Sequence, residues 1–445
     1  MASSYLTNTF GTPTDQNKWT FSCWVKLGTT SDAVLFSAGT NASSNIDGIK
    51  IDNNQLRVFS YNGSAYVYQL KTSRVFRDLS AWYHIVVMYD SDQATSSDRI
   101  KVYVNGTQET SFGTETYPSS GANSAHINLG SREHIIGADT GGANNTIEGL
   151  ITHVHFTDGY AYAGSDFGET DSTSGIWKPK TAPSVTYGNN GFFLDMADGS
   201  ALGDDESGNT NDWSITGTMT QAEDTPSNNF ATLNPLFKYN SLLTFSNGNA
   251  SADLNTSTAW NTIPSTIGVS KGKWYFEGYG HTNSSNYIHY GIVSAAKMIA
   301  TNNQSEQEIQ ANAIGYAEGY YGNNGNRYYS TTSVNTSTSY GNSYTGTDYI
   351  GVFMDLDNNK LYFSKNGTLQ NSGTGIDINA DGKPYNFAIA LYDGGTNVNF
   401  GNGSFGSTKL TGTTYSDANG YGIFKYSPNQ GGSANFDSTA KDFYA

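Results

Sequence analysis

One strand–turn–strand pattern is written twice in this chain, and it limits the folds available more than any other feature. Residues Trp82–Asp90 (WYHIVVMYD) lead into Arg99–Thr107 (RIKVYVNGT), and Tyr349–Asp357 (YIGVFMDLD) leads into Lys360–Thr368 (KLYFSKNGT). In each copy a β-branched and aromatic strand ends in acidic residues. A second alternating strand then stops at Asn-Gly, the dipeptide that best tolerates the positive φ angles of a tight hairpin turn. The pattern predicts such turns at Asn105-Gly106 and Asn366-Gly367. Two copies that share little else predict an all-β chain of two tandem antiparallel β-sandwich domains of jelly-roll type.

Composition agrees. A length of 445 residues has room for two or three domains of about 150 residues each. Charged residues make up 14%, against ~25% in an average globular protein, and Asn, Ser, Thr and Gly supply the missing polarity. With 31 Tyr and 22 Phe the chain is too aromatic for a disordered one. The net charge of −16 comes with no Lys/Arg stripe, which makes nucleic acid a poor partner. The acidity is spread along the chain and reads as solubility, and sparse charge suits neutral, hydroxyl-rich ligands such as glycans.

The single cysteine, Cys23, excludes an intrachain disulfide and a zinc ribbon. In TFSCWVKL it alternates with Phe21 and Val25, as a buried structural thiol does. The start, MASSYLTNTF, shows neither the basic nor the apolar region of a secretory signal. No apolar run approaches the ~20 residues that cross a bilayer, so a soluble chain without membrane insertion is expected.

Four segments are expected: a first sandwich over 1–180, a structured connector over 181–235, a second sandwich over 236–426 and a tail over 427–445. Strands are predicted at Trp19–Leu27, Ala33–Ser37, Gly48–Ile51, Leu56–Tyr61, Ala65–Leu70, Tyr83–Tyr89, Ile100–Val104 and Leu150–Phe156. In the second sandwich they are predicted at Trp274–Tyr279, His289–Val293, Arg327–Tyr329, Tyr349–Asp355, Leu361–Lys365, Tyr385–Leu391 and Asn397–Phe400. Only Glu306–Ala313 has a helical character.

WTFSCWVKLG, WYHIVVMYD, DRIKVYVNGT and LITHVHFTDG resemble the laminin-G-like form of the concanavalin A-like lectin/glucanase sandwich. GKWYFEGYG, HYGIV, YYGNNGNRYY, the run from YGNSYTG to KNGTLQ, and NFAIALYDGG resemble a SPRY domain. With FGETDSTSGIWKPK, DTPSNNFATLNP and NFGNGSFG added, nearly the whole chain resembles a two-domain virion protein of tailed bacteriophages, particularly those of marine bacteria. The resemblance implies a head-fibre, decoration or tail-fibre component located on the virion. Its partners would be other virion proteins of the capsid or tail, host-surface or environmental glycan, and a further copy of itself. The chain enters its first sandwich almost at once, which favours an accessory component over a self-anchoring fibre.

Glucanases of this class carry a Glu-x-Asp-x-Glu or Glu-x-Asp-x-x-Glu run on one strand, because period-two spacing aims carboxylates into one cleft. This chain has no such run. Asp90/Asp92, Asp204–Glu206 and Asp355/Asp357 fall at strand ends and turns, where Asp caps backbone. Asp377, Asn379 and Asp381 with Gly382 match the first half of a calcium loop, but Ala388 stands where the bidentate acid belongs. An Asx turn before Lys383-Pro384 explains the same residues. His153 and His155 alternate in THVHF and could be two imidazole ligands, with no third evident. No nucleophile triad, phosphate loop or dinucleotide fingerprint is present, so no cofactor is expected.

The tyrosine-dense stretch Ile314–Tyr349 is the binding candidate. Tyr, Asn, Ser and Gly combine rigid amphipathic rings with adaptable polar groups. Tyr321, Tyr344 and Tyr349 fall on SPRY-like positions and fit a core, whereas Tyr328, Tyr329 and Tyr340 are expected to face outwards and bind. The expectation is therefore a non-enzymatic adhesin. A purely structural decoration or connector protein is the alternative, and a polysaccharide depolymerase the least favoured reading.

Overall fold

The computed structural model describes residues 4–42, 44–141, 144–237, 241–255, 260–295, 316–330, 335–378 and 384–429. The chain divides into two compact units, Met1–Gln221 with Thr225–Ser227 and Asn228–Ala445 with Ala222–Asp224.

The first unit contains β1 (Tyr5–Thr9), β2 (Lys18–Leu27), β3 (Ala33–Asn41), β4 (Asn45–Asp52), β5 (Gln55–Tyr61), β6 (Tyr66–Val75), β7 (Trp82–Asp90) and β8 (Ile100–Val104). It continues with β9 (Thr107–Gln108), β10 (Phe112–Thr116), β11 (Glu133–Ile136), β12 (Gly149–Asp158), β13 (Gly168–Thr170), β14 (Trp177–Pro179), β15 (Phe192–Leu194) and β16 (Ser214–Thr216). Among the described residues these form an eight-stranded sheet, β10-β6-β5-β4-β3-β11-β1-β16, a six-stranded sheet, β15-β12-β2-β7-β8-β9, and the β13-β14 hairpin. Alternation decides which side chains face inward. Phe21, Cys23 and Val25 from β2 and Ile85 and Val87 from β7 meet Phe36, Ile49, Val58 and Leu70 from the opposite sheet in one core. Cys23 is buried in it and unbonded.

The second unit contains β17 (Leu243–Ser246), β18 (Ser251–Leu254), β19 (Asn261–Pro264), β20 (Lys273–Tyr279), β21 (Ile288–Ser294), β22 (Ala317–Tyr321) and β23 (Asn326–Ser330). After them come β24 (Asn335–Ser339), β25 (Ile350–Asp355), β26 (Lys360–Lys365), β27 (Thr368–Leu369), β28 (Ile376–Asp377), β29 (Tyr385–Leu391) and β30 (Gly394–Asn399). Among the described residues one sheet is built on β17-β18-β30-β20-β25-β26-β27, with β28 beside β26, and the other is β19-β29-β21-β22-β23-β24. Phe276, Val352 and Phe363 of the first sheet pack on Tyr290, Ile292, Tyr320 and Ile389 of the second. Both units are antiparallel two-sheet sandwiches, as the repeated pattern predicts.

The two Asn-Gly turns are superimposable in their angles: Asn105 and Asn366 have φ of 48° and 49°, and Gly106 and Gly367 have 78° and 77°. Each glycine also lies under an aromatic ring from far downstream. A Cβ on Gly106 would meet Trp177 at 2.6 Å, and one on Gly367 would meet Tyr426 at 2.5 Å.

Residues 181–235, expected as a connector, divide between the units instead. The apolar islands in it are strand and core: β15 pairs with β12, β16 pairs with β1, and Trp213 belongs to the first core. Phe230 and Leu233 belong to the second core. The helical expectation at Glu306–Ala313 and the tail from Gln430 onwards lie outside the described residues.

Candidate functional site

The outer face of the β19-β29-β21-β22-β23-β24 sheet carries a second, separate apolar cluster. Val293, Ala317, Ala388 and Ala390 are buried there, with Trp260 and Tyr328 packed against them. Register explains this floor of small residues. Gly291 opposes Ala388 on one side and Gly319 on the other, and Gly319 opposes Tyr328. Toward one end of the same face aromatic rings replace the small residues. His289 stacks on Tyr321 at 4.5 Å and 12°, and Tyr328 stands edge-on to both at 5.1 and 5.0 Å. Trp260 lies 4.9 Å from His289 and 5.5 Å from Tyr392, and Tyr287 lies 5.7 Å from Tyr392.

His289 and Tyr321 are buried, whereas Trp260, Tyr287, Tyr328 and Tyr392 are half-exposed. Three of these rings, Tyr287, Tyr328 and Tyr392, stand beside turns rich in amides and glycine: SSNY before β21, GNNGN before β23, YDGG after β29. Hydrogen bonds tie these turns together. The Tyr392 N–H donates to the Tyr287 carbonyl at 3.3 Å, Asn323 Nδ2 donates to the Ser285 carbonyl at 2.9 Å, and Asn324 Nδ2 donates to Tyr328 Oη at 3.3 Å. Flat apolar faces bordered by amides can stack on a sugar ring and bond its hydroxyls.

The structure separates the three tyrosines expected to act together. Tyr328 joins the cluster. Tyr329, its neighbour on a strand, points to the other face, where the Arg327 guanidinium lies 4.5 Å over its ring. Tyr340 does not face outwards and is corrected to a core residue: it is 7% exposed, and its ring packs 5.8 Å from Tyr320 and 5.6 Å from Phe363. It follows the last residue of β24, where the chain turns inward and the Gly341 N–H reaches the Gly325 carbonyl. Tyr344 is fully buried and Tyr321 nearly so, as SPRY-like core positions would be, while Tyr349 is half-buried. Trp260, Tyr287 and Tyr392 escaped sequence reasoning, although an aromatic at a strand end beside an Asn/Asp/Gly turn marks Tyr287 and Tyr392.

Two buried acids lie in this unit. Burial pushes Glu318 up to about 8, against Arg327 Nε at 3.7 Å and the Tyr316 hydroxyl, which donates to it at 2.9 Å. Burial pushes Glu277 up to about 7, against four donors that favour its carboxylate. These are the Lys425 and Tyr426 N–H groups, Tyr275 Oη and Asn399 Nδ2, at 2.8–3.1 Å. Glu277 thereby fastens the Phe424–Tyr426 segment over the sheet.

The first unit holds three histidines on one sheet face. His155 is buried, stacks on Phe193 at 4.0 Å and bonds Tyr187 Oη at 3.0 Å. His153, at φ 47° in the bulge that separates it from His155, lies 5.9 Å from the same Phe193 ring. His84, which sequence reasoning missed, accepts a hydrogen bond at Nδ1 from Trp177 Nε1 at 3.1 Å and so donates from Nε2 to Ser22 Oγ at 2.9 Å. Burial pushes His84 down to about 3 and holds His155 well below the ordinary range. Among the described residues no three His, Cys, Asp or Glu side chains are placed to hold a metal ion.

Of the half calcium motif, Asp377 is exposed and ion-paired with Lys360; Asn379 and Asp381 lie outside the described residues. Ala388 is a β29 residue. Asp90, Asp205 and Asp355 each accept backbone N–H groups of their own turns.

Comparison with known proteins bears on the first unit directly. Residues 2–161 match a laminin G model of the concanavalin A-like lectin/glucanases superfamily. The first unit has that lectin fold. Among solved structures the chain is similar to the SPRY domain of human HERC1, at 14% identity and a TM-score of 0.29, over 41% of this chain and 99% of that one. It is similar to the TRIM65 PSpry domain at 11% and 0.28, over 41% and 93%. A pentraxin from Limulus polyphemus matches at 16% and 0.27, over 36% and 72%. No curated protein matches the chain.

Proposed function

We propose that this chain is a non-enzymatic virion protein of a tailed bacteriophage that adheres to glycans of the host surface or its surroundings. The lectin-like fold of the first unit is consistent with carbohydrate binding or adhesion. The phage assignment rests on the linker and C-terminal motifs of the sequence. The observation that carries the binding reading is the row of half-exposed rings Trp260, Tyr287, Tyr392 and Tyr328 between amide-bearing turns. Aromatic faces bury apolar area with few rotors to freeze, and one anchor ring is worth about 1–3 kcal/mol.

The test is adsorption of purified protein to host cells and to their isolated polysaccharide. Trp260→Ala and Tyr392→Ala should weaken adsorption at least about fivefold with unchanged melting temperature, and no reducing sugar should appear. Wild-type protein that adheres to neither cells nor polysaccharide would leave a purely structural decoration protein in place of the adhesin. Release of oligosaccharides would make the chain a depolymerase.

A further inference from the structure

Three adjacent strands of the first unit set Lys50, Arg57 and Lys71 in one cross-strand row. Lys50 is the partner of Arg57 across β4 and β5, and Arg57 is the partner of Lys71 across β5 and β6. Like charges directly opposite each other destabilise a sheet, and the chain as a whole carries −16. Solubility does not call for a cationic row in so acidic a protein. One carboxylate on the face answers it: Asp52 Oδ2 lies 3.1 Å from Arg57 Nη1 and 3.3 Å from Lys71 Nζ. Lys50 Nζ sits 5.9 Å from the centre of the Phe59 ring, and Asp139, buried nearby, is the further acid that feels it.

The next rows on this face are aromatic. Gly48, Phe59 and Gln69 form one, and Ile46, Tyr61 and Tyr66 the next. Successive rows on one face are about 7 Å apart, the scale of one sugar ring. The Phe59 ring lies against Gly48, where a Cβ would come within 2.7 Å of it. The Arg57 guanidinium lies 4.7 Å from Phe59 and 4.5 Å from Tyr66, and Tyr61 lies 4.9 Å from Tyr66. Tyr66 is 42% exposed, the Lys71 side chain 20%.

We infer that this face binds an acidic polysaccharide, its rings against Tyr61 and Tyr66 and its carboxylates or sulfate esters on Lys50 and Lys71. The cations offset the repulsion of an acidic ligand by the rest of the chain, and aromatic plates beside them suit ring-bearing anions over simple ones. The inference extends glycan binding to a surface independent of the Trp260 cluster, so either can fail alone.

Affinity electrophoresis of the intact chain through gels containing sodium alginate, dextran sulfate or neutral dextran tests it. Retardation by at least one polyanion is expected, weakening as salt rises from about 50 to about 200 mM. The alginate and dextran sulfate arms separate carboxylate from sulfate preference. Lys50→Gln/Lys71→Gln should weaken polyanion binding about tenfold, and Tyr66→Ala, at an exposed position, should weaken it with both lysines kept. Lys101→Gln, which removes a cation outside this row, should bind polyanions as wild type does. No retardation by either polyanion overturns the inference, as does retardation that both the double-lysine and Tyr66 variants leave unchanged.

Discussion

Asn105 and His84 hold each other twice. The Asn105 N–H donates to the His84 carbonyl at 2.9 Å, and the His84 N–H donates to Asn105 Oδ1 at 2.8 Å. Asn366 and Tyr349 repeat the pair at 2.8 and 2.8 Å. Asparagine is therefore required in both copies for two reasons at once. It accepts the positive φ before glycine, and its side chain closes the hairpin base. Asn105→Ala and Asn366→Ala should each cost about 1–2 kcal/mol in urea unfolding, whereas Asn→Asp, which keeps the acceptor, should cost less.

Gly106→Val and Gly367→Val meet both a left-handed backbone and a ring. Each should lower stability by more than about 1 kcal/mol, and Gly106→Ala should already be costly because Trp177 lies 2.6 Å from the new Cβ. Unchanged melting temperatures for the valine variants would show that the turns relax freely.

Trp177→Ala should destabilise the first unit by about 2–4 kcal/mol. It removes the ring over Gly106 and the donor to buried His84 Nδ1. Trp177→Phe, which restores the ring alone, should recover only part of the loss. Full recovery would assign the effect to packing and none to the hydrogen bond.

The two units should respond to pH in opposite directions. In the first, burial pushes His84 and His134 down to about 3. A depressed group contributes stability above its unfolded value near 6.5, lost as pH falls toward 3, at about 1.4 kcal/mol per unit. In the second, burial raises Glu277 to about 7 and Glu318 to about 8. Their contribution is present below about 4.5 and is lost as pH rises through 7 and 8. Hydrogen exchange of the intact chain, corrected for intrinsic rates, should show the first unit loosening at about pH 5 and the second loosening progressively as pH rises from about 5 to about 8. Glu318→Gln should flatten the alkaline limb.

Division of the chain between Gln221 and Ala222 should give two soluble folded pieces, because each side keeps its own core. A cut after Asn234 should leave the C-terminal piece unstable, since it strips Phe230 and Leu233 from that core.

Strands with dense β-branched and aromatic alternation were legible in the sequence, β2, β7, β8, β25, β26 and β29 among them. Two of the unread strands, β1 and β16, are short and largely polar, and distant partners hold them. Leu6 of β1 pairs with Ile136 on one side and Ile215 on the other, more than a hundred residues away. No local propensity reports such a pairing. The binding candidate was legible as a region and not as a face. Tyr328 and Tyr329 are consecutive on a strand, so they had to point to opposite sides. Trp260 reaches Tyr321 only through tertiary packing that its own neighbours in sequence do not encode.

One cysteine leaves this chain without a covalent staple, yet its long loops are firmly closed. Trp177 returns 93 residues to His84, and Tyr426 returns 149 residues to Glu277. In many sandwiches sulfur does that work, and a reductant undoes it. Here the fasteners are an imidazole and a carboxyl group, both buried. A reducing medium leaves them closed; a proton gained by the imidazole, or lost from the carboxyl group, is what loosens them.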